Sequence, residues 1–511
     1  MSSLVATRPV AARAPLPARP SSRWLVTPVA ALTLLAGILG SVRLDRRPMW
    51  YDEAFSVLFA QSDWAYFVEW SWAKELNALV YYLLLRGWIE LFGLSEAALR
   101  SLSVLIVAAT VPVVALIARR LFGNRAAVVA AALFATHGGM LQYAQETRTY
   151  ALATLLVALA ALCLVIGVQD RRLVGWLGFA LISGIAVYAH LFAVFATAAL
   201  VASLIALPRR QVHLGHAAAA MVLYGMFLVP SALFVTQAVT EQFDWVAAQM
   251  HDVFGRSLFF LAGNASSLVR NLTMSVAAIL ALSWIRRAAM RGRGTETWAQ
   301  VLVASWAFVP LLLAFGASQV RPMLVPRYLI VAVPGIVLLV TAVLRLIWGR
   351  RTLTVATLVA VALQLMALPT QLYTNPQVNE AWRSLAQDIS AQAEPTDGLI
   401  VVPAWQRVTL EYYLAMHPAT RQNPDELPVP LSPSEPWGTR DSYGGMGHTV
   451  TLDELTEGGY RRLWVVLDGE PTRPERAEQL AALTGLELAQ EQSYGVLTLR
   501  RYDRRIPPGR R

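Results

Sequence analysis

Apolar residues in this chain gather into long continuous runs, neither alternating as in strands nor confined to one helical face. About eleven runs are long enough to cross roughly 30 Å of hydrocarbon as helices. They lie near residues 24–42, 101–118, 126–142, 150–168, 173–189, 191–207, 217–236, 268–285, 299–317, 328–347 and 353–371. Arginines punctuate them. Arg8, Arg13, Arg19 and Arg23 precede the first run, and Arg119, Arg120 and Arg125 follow the second. Arg171 with Arg172, and Arg209 with Arg210, follow the fourth and sixth. Arg286, Arg287, Arg291 and Arg293 follow the eighth, and Arg350 with Arg351 the tenth. All fall on one side, which the positive-inside rule makes cytoplasmic. The first run is too long and too basic-flanked to read simply as a cleaved signal peptide.

The other side carries the first loop, about 43–100, the turn Gln145 to Arg148, a loop near 238–267, the segment Gln319 to Arg327, and everything after Leu372. Within the first loop, Leu79 to Phe92 is apolar and aromatic but holds Arg86 and Glu90, so it is expected to lie along the interface. The tail reads as a small soluble α/β domain: a helix near 379–393, a strand at Gly398 to Pro403, a helix near 405–416 and a Pro-rich stretch at 424–436. A strand at Leu463 to Asp468, a helix near 473–484 and a closing hairpin complete it. The expected organisation is a cytoplasmic tail 1–23, a membrane domain 24–371 and an extracytoplasmic domain 372–511.

Composition agrees with this plan and narrows the function classes. Only 15% of the 511 residues are charged, against about a quarter in soluble proteins. The net charge of +10 sits at the ends of apolar runs, so it marks topology and no nucleic-acid surface. Cys163, the single cysteine, lies within an apolar run, which excludes a disulfide framework and a cysteine metal site.

Polar clusters on the non-cytoplasmic side carry the candidate chemistry. Asp52 and Glu53 open an apolar stretch, where they suit the positive end of a helix as well as they suit catalysis. Adjacent helical side chains diverge by about 100°, so the two carboxylates are not expected to act as a facing pair. Between Tyr143 and Tyr150, a helical turn would set Glu146 with Tyr150 on one face and Gln145 with Arg148 on another. His190, in Tyr188 to Phe192, suits an ordinary turn as well as a binding pocket. Arg321 and Arg327, beside Tyr328, run against the charge bias of that side. Headgroup anchoring would explain them, and so would a lipid phosphate gripped by charge-assisted hydrogen bonds. Lys74, the only lysine, could join them.

Several of these stretches together resemble the family 39 glycosyltransferases of the GT-C superfold, which include protein O-mannosyltransferases and aminoarabinose transferases. The resemblance is carried by Met49-Trp50-Tyr51-Asp52-Glu53-Ala54, Tyr81-Tyr82-Leu83-Leu84-Leu85, Ser95-Glu96, Leu99-Arg100-Ser101-Leu102-Ser103 and Tyr143 to Tyr150. Tyr188 to Phe192 and Arg327-Tyr328-Leu329 fit it more loosely. It implies an enzyme that moves a sugar, with inversion, from a polyprenyl phosphate donor to a lipid, glycan or protein acceptor at the outer face of the cell membrane. Asp52 would be the general base, and Glu53 its support or, in a metal-using variant, a partner in holding a divalent cation. Arg148, Arg327 and Arg321 would stabilise the phosphate leaving group, Glu146 and His190 would line the sugar pocket, and Tyr81 and Tyr82 would steer the prenyl chain. One segment departs from the pattern: many relatives carry His followed by Pro or a small residue where this chain reads Lys74 to Val80, which points to altered donor or acceptor contacts. A transporter or flippase of lipid-linked saccharides is the rival class, but it predicts mid-membrane polar residues and repeat symmetry. An inactive scaffold that recruits partners through the tail is a third.

Overall fold

The computed structural model of the chain describes residues 23–242, 252–263, 294–347, 349–368, 381–394, 397–416, 429–430, 460–468 and 486–504, with single helical positions at 246, 282, 286 and 290. Helix α1 (Arg23–Ser41) leads into a first loop that is itself helical: α2 (Tyr51–Gln61), α3 (Trp64–Trp70) and α4 (Leu79–Phe92). The bundle continues with α5 (Glu96–Phe122), α6 (Asn124–Ala135), α7 (Gly138–Ala144), α8 (Tyr150–Gln169), α9 (Leu173–Val187), α10 (Ala193–Ala202) and α11 (Leu214–Gln242). After α12 (Val253–Leu261) come α13 (Thr295–Val320), α14 (Val333–Ile347) and α15 (Arg350–Leu368). This is a polytopic α-helical membrane protein with a small C-terminal sheet.

Ten of the eleven expected runs are helical, and the run at 268–285 lies almost wholly outside the described residues. Fewer are full spans than expected. Among the described residues six helices are long and apolar enough to cross a membrane, or seven if the bent pair α6 and α7 counts as one. The apolar stretches Leu25–Ser41, Leu173–Val187 and Ala193–Ala206 are shorter. At 1.5 Å per residue a 15-residue helix reaches about 22 Å, short of the hydrocarbon thickness. The 57° bend between α6 and α7 falls at Thr136-His137. There His137 leaves the helix and caps the next one, its Nδ1 accepting from the Met140 N–H at 3.3 Å.

Sequence chemistry sets the other boundaries. Ser95 caps α5 by accepting from the Ala98 N–H at 3.3 Å, Glu96 sits in its first turn, and Arg119 and Arg120 sit in its last. The arginine-rich turns meet at one end of the bundle. Arg120 makes a two-point ion pair with Asp170 at 3.1 and 3.2 Å, and Arg171 donates to the Arg210 carbonyl at 3.0 Å. Outer faces of α11 and α15 present Met221, Val222, Met226, Leu358, Val359 and Met366, as suits helices solvated by lipid.

In the tail, α16 (Trp382–Gln392) is followed by β1 (Gly398–Val402) and the short helix α17 (Arg407–Glu411), which runs into a π-helical turn, Tyr412–Met416. The strands β2 (Val429–Pro430), β3 (Arg462–Asp468), β4 (Leu486–Tyr494) and β5 (Leu497–Arg504) follow. The sheet order is β2-β1-β3-β5-β4, parallel where β1 meets β2 and β3, antiparallel beyond. β1 and β3 are apolar and buried, whereas β4 at the edge is mostly exposed and carries Glu487 and Glu491, which discourage further pairing. The expected helix at 473–484 and the boundary at 372 lie outside the described residues, as does the Pro-rich stretch apart from β2. One continuous apolar cluster holds Trp382, Leu385, Leu399 and Tyr412 of the tail together with the membrane helices.

Small residues let helices touch backbone to backbone. A Cβ on Gly175 of α9 would fall 2.4 Å from the Gly167 nitrogen of α8, so Gly175→Ala must push these helices apart. Overpacking of this kind costs about 1–3 kcal/mol. Gly87 in α4 faces open space, and there Ala gains about 0.5–1 kcal/mol of helix propensity. Thermal unfolding in detergent is expected to show a lower Tm for Gly175→Ala and an equal or higher one for Gly87→Ala.

Candidate active site

The acidic pair sits in the first turn of α2, behind Trp50, and the helix sends its two carboxylates in different directions. Asp52 is partly exposed and faces two arginines. Its Oδ2 lies 3.6 Å from Arg327 Nη2 and 3.9 Å from Arg148 Nη2, close enough to attract and too far for tight hydrogen bonds. Arg148 also donates through Nη1 to Ser56 Oγ at 3.0 Å and the Asp52 carbonyl at 3.3 Å, while its Nε makes no hydrogen bond. The Arg327 guanidinium carbon stands 5.4 Å from the Trp50 ring centre, so an aromatic face helps hold the cation.

Glu53 points into the protein and is 1% exposed. Arg100 Nε donates to Oε1 at 2.9 Å and Arg100 Nη2 to Oε2 at 2.7 Å, a two-point pair. The Thr147 N–H adds a third bond to Oε1 at 2.8 Å. The rest of the Arg100 guanidinium ties down the segment before Asp52: Nη1 donates to the carbonyls of Leu44 and Arg47 at 2.6 and 2.7 Å, and Nη2 to that of Pro48 at 3.2 Å. Glu53 therefore positions α2 against the 146–148 turn. The donor set does not fit a divalent cation between Asp52 and Glu53, because one carboxylate faces two arginines and the other is occupied by a third. Among the described residues no three His, Cys, Asp or Glu side chains gather as a metal cage.

The 145–149 segment is an irregular turn, not the helical turn its spacing predicts. Tertiary partners take the groups that a helix would use internally. Gln145 Nε2 donates to the carbonyls of Gly40 and Val42, Ser103 Oγ to that of Glu146, and Thr147 N–H goes to Glu53. Glu146 is thereby held with Oε2 shut off from solvent and without a hydrogen bond. Burial, then the neighbouring Glu53 charge, pushes its pKa up to about 8, so the carboxyl is largely protonated at neutral pH. Burial works against the charge of Arg148, yet Asp52 and further negative neighbours outweigh it and hold its pKa above the ordinary value.

His190 lies behind this pair. Burial, then the Arg148 and Arg327 charges, pushes its pKa down to about 3. Its Nδ1 accepts the Phe192 N–H at 3.2 Å, which leaves Nε2 as the donor of a neutral ring. Tyr328 packs on it, with ring centres 5.2 Å apart.

One expectation changes. Tyr81 and Tyr82 are fully buried, so they do not border a prenyl path; the exposed leucines of α4 are Leu83, Leu84 and Leu91. Arg321 caps the end of α13, its N–H bonded to the Ala317 carbonyl at 3.0 Å, and the guanidiniums on Asp52 are those of Arg148 and Arg327 alone among the described residues. Lys74 sits in the π-helical turn Ser71–Glu75, and its neighbour Glu75 belongs to the cluster. Glu75 Oε2 accepts the Tyr82 hydroxyl at 2.8 Å, and burial pushes its pKa up to about 7 against the pull of Arg148. The sequence signal for Glu75 was its place in the segment that departs from the family pattern. For Arg100 it was a charge inside the first turns of a long apolar helix.

Comparison with known proteins bears on the fold. A family model described as dolichyl-phosphate-mannose-protein mannosyltransferase matches residues 77–235, under a third of the chain. The crystal structure of ArnT from Cupriavidus metallidurans bound to undecaprenyl phosphate superposes with a TM-score of 0.61 at 14% identity, covering 94% of this chain and 98% of that one. The same protein in the apo state superposes with a TM-score of 0.56 at 15% identity, over 94% and 98%. The chain shares its fold with this membrane protein. No curated protein sequence matches the chain. The segment that the family model matches holds Glu146, Arg148 and His190, whereas Asp52 and Arg327 lie outside it and reach the same place through the fold.

Two outcomes follow from the buried groups. Breaking a buried ion pair by removing one partner costs about 3–5 kcal/mol, so Arg100→Met is expected to lower the midpoint of thermal unfolding steeply. Glu146 binds a proton in the folded chain up to about pH 8 that the unfolded chain loses near the ordinary value of 4.5, so folding is favoured at lower pH and that gain is lost as pH rises through 8. Tm measured between pH 6.5 and 9 should fall more steeply in the natural protein than in Glu146→Gln.

Proposed function

We propose that this protein is a glycosyltransferase that moves a sugar from a polyprenyl phosphate carrier to a hydroxyl of a lipid, glycan or protein acceptor, with inversion. The observation that carries the reading is a carboxylate and two guanidiniums meeting at 3.6 and 3.9 Å at one end of a membrane bundle. Asp52 takes the acceptor proton as the acceptor oxygen attacks the anomeric carbon. The bond from that carbon to the phosphate oxygen breaks on the opposite face, and its electron pair leaves with the polyprenyl phosphate. Arg148 and Arg327 receive the growing phosphate charge. Their long contacts to Asp52 make this exchange of partners inexpensive, and the unbonded Nε of Arg148 offers a further donor. Neutral Glu146 and the Nε2–H of His190 supply hydrogen bonds to sugar hydroxyls without opposing the phosphate.

A lipid-borne donor accounts for a site placed where membrane helices end. The ArnT structure that this fold matches is described as bound to undecaprenyl phosphate, which supports a donor of that class here. The arginine-rich turns gather at one end of the bundle, away from Asp52, which supports an outer-face site in the cell membrane and a cytoplasmic tail at 1–23. On this reading 24–371 is the catalytic membrane domain and 372–511 lies outside with the site. The polar residues that a transporter would set at mid-membrane gather instead at one end among the described residues.

Purified protein given polyprenyl phosphate sugars and candidate acceptors tests the reading through release of polyprenyl phosphate. Asp52→Asn is expected to lose about 10²–10⁴-fold in kcat, the contribution of a positioned base. Full activity in that variant would overturn the role. Arg327→Gln should lose about 10–100-fold in kcat/KM, the worth of one charge-assisted hydrogen bond.

A further inference from the structure

The segment that delivers Asp52 is held from two sides. Arg100 grips it from α5, as described above. The other hold comes from the tail, more than 300 residues away in sequence. The Tyr413 hydroxyl accepts the Met49 N–H at 2.6 Å, three residues before Asp52, and donates its own proton to Glu96 Oε1. Arg383 of α16 donates to Glu96 Oε2 and to the Asp45 carbonyl, the latter at 2.7 Å. Tyr412 donates to the Leu94 carbonyl at 2.9 Å, and Trp405 meets Tyr51, the neighbour of Asp52, edge to face with ring centres 4.9 Å apart.

Glu96 is 2% exposed and lies one turn before Arg100 on α5. A buried carboxylate needs donors on both oxygens, and here both come from the tail. The same tyrosine hydroxyl also takes the backbone N–H that fixes how the chain enters α2. We infer that the C-terminal domain is a working part of the active site: Tyr413, with Arg383, is a positioning residue that sets the Asp52 carboxylate through Glu96 and the Met49 backbone. The inference rests on the role of Asp52 given above.

Tyr413→Phe in the full-length protein keeps the ring and removes only the hydroxyl. Tyr494→Phe, which loses a hydrogen bond to Asp388 within the tail, is the control. Tyr413→Phe is expected to speed amide hydrogen exchange across 44–53 by about tenfold and lower kcat by about tenfold, with KM for the polyprenyl phosphate sugar within about twofold. Tyr494→Phe should leave all three unchanged. Natural exchange and kcat in Tyr413→Phe would overturn the inference. So would faster exchange spread through the whole bundle with a matching rise in KM, since that is general loosening and not positioning. If the natural protein transfers no sugar, the function above fails, while exchange across 44–53 still decides whether the tail holds this segment.

Discussion

A guanidinium and a carboxylate buried together are costly unless every donor and lone pair is met, and Arg100 with Glu53 shows how that demand organises a structure. Arg100 completes itself with the carbonyls of Leu44, Arg47 and Pro48, which shapes the chain ahead of α2. Glu53 completes itself with the Thr147 N–H, which fixes the turn that carries Glu146 and Arg148. With Glu53 anchored, the helix leaves Asp52 about 100° away, facing Arg148 and Arg327. The direction of the proposed base thus depends on a pair that does no chemistry itself.

Once that frame exists, the acids of the site differ because their surroundings differ. Glu146, shut away from water and near another acid, stays largely neutral at pH 7. Asp52 faces two cations at the edge of the same cluster. His190 is kept neutral by burial and by those same cations. A phosphate entering here meets positive charge and hydrogen-bond donors, with little opposing negative charge beyond Asp52. Such division of roles among like residues is how a site performs acid and base work at one pH.

The bundle around the site follows from solvation by lipid. Backbone groups must be satisfied within each helix, so the helices persist while their side chains drift, and a shared fold at 14% identity is what that constraint permits. Contacts at the site come instead from the places where helices stop: the first turn of α2, the 145–149 turn, His190 after α9 and Arg327 before α14. Irregular backbone is tolerated there because the protein, and not lipid, supplies its hydrogen-bond partners.

Much of this was legible in the sequence because it depends on local properties. Apolar run length located ten helices, arginine placement grouped the turns at one end, and the 100° divergence of neighbouring side chains separated Asp52 from Glu53. The strands of the tail were readable from continuous apolar runs. What stayed hidden depends on partners far apart in the chain. Helical spacing at 145–149 gave way to tertiary hydrogen bonds, and the aromatic pair Tyr81 and Tyr82 turned out to be core. Glu53 became an anchor when the fold brought Arg100 to it, and the tail joined the site when Tyr413 reached Met49. Spacing and hydropathy report a residue's neighbours along the chain. The role of a buried charge is set by its neighbours in space, and only the packed bundle decides those.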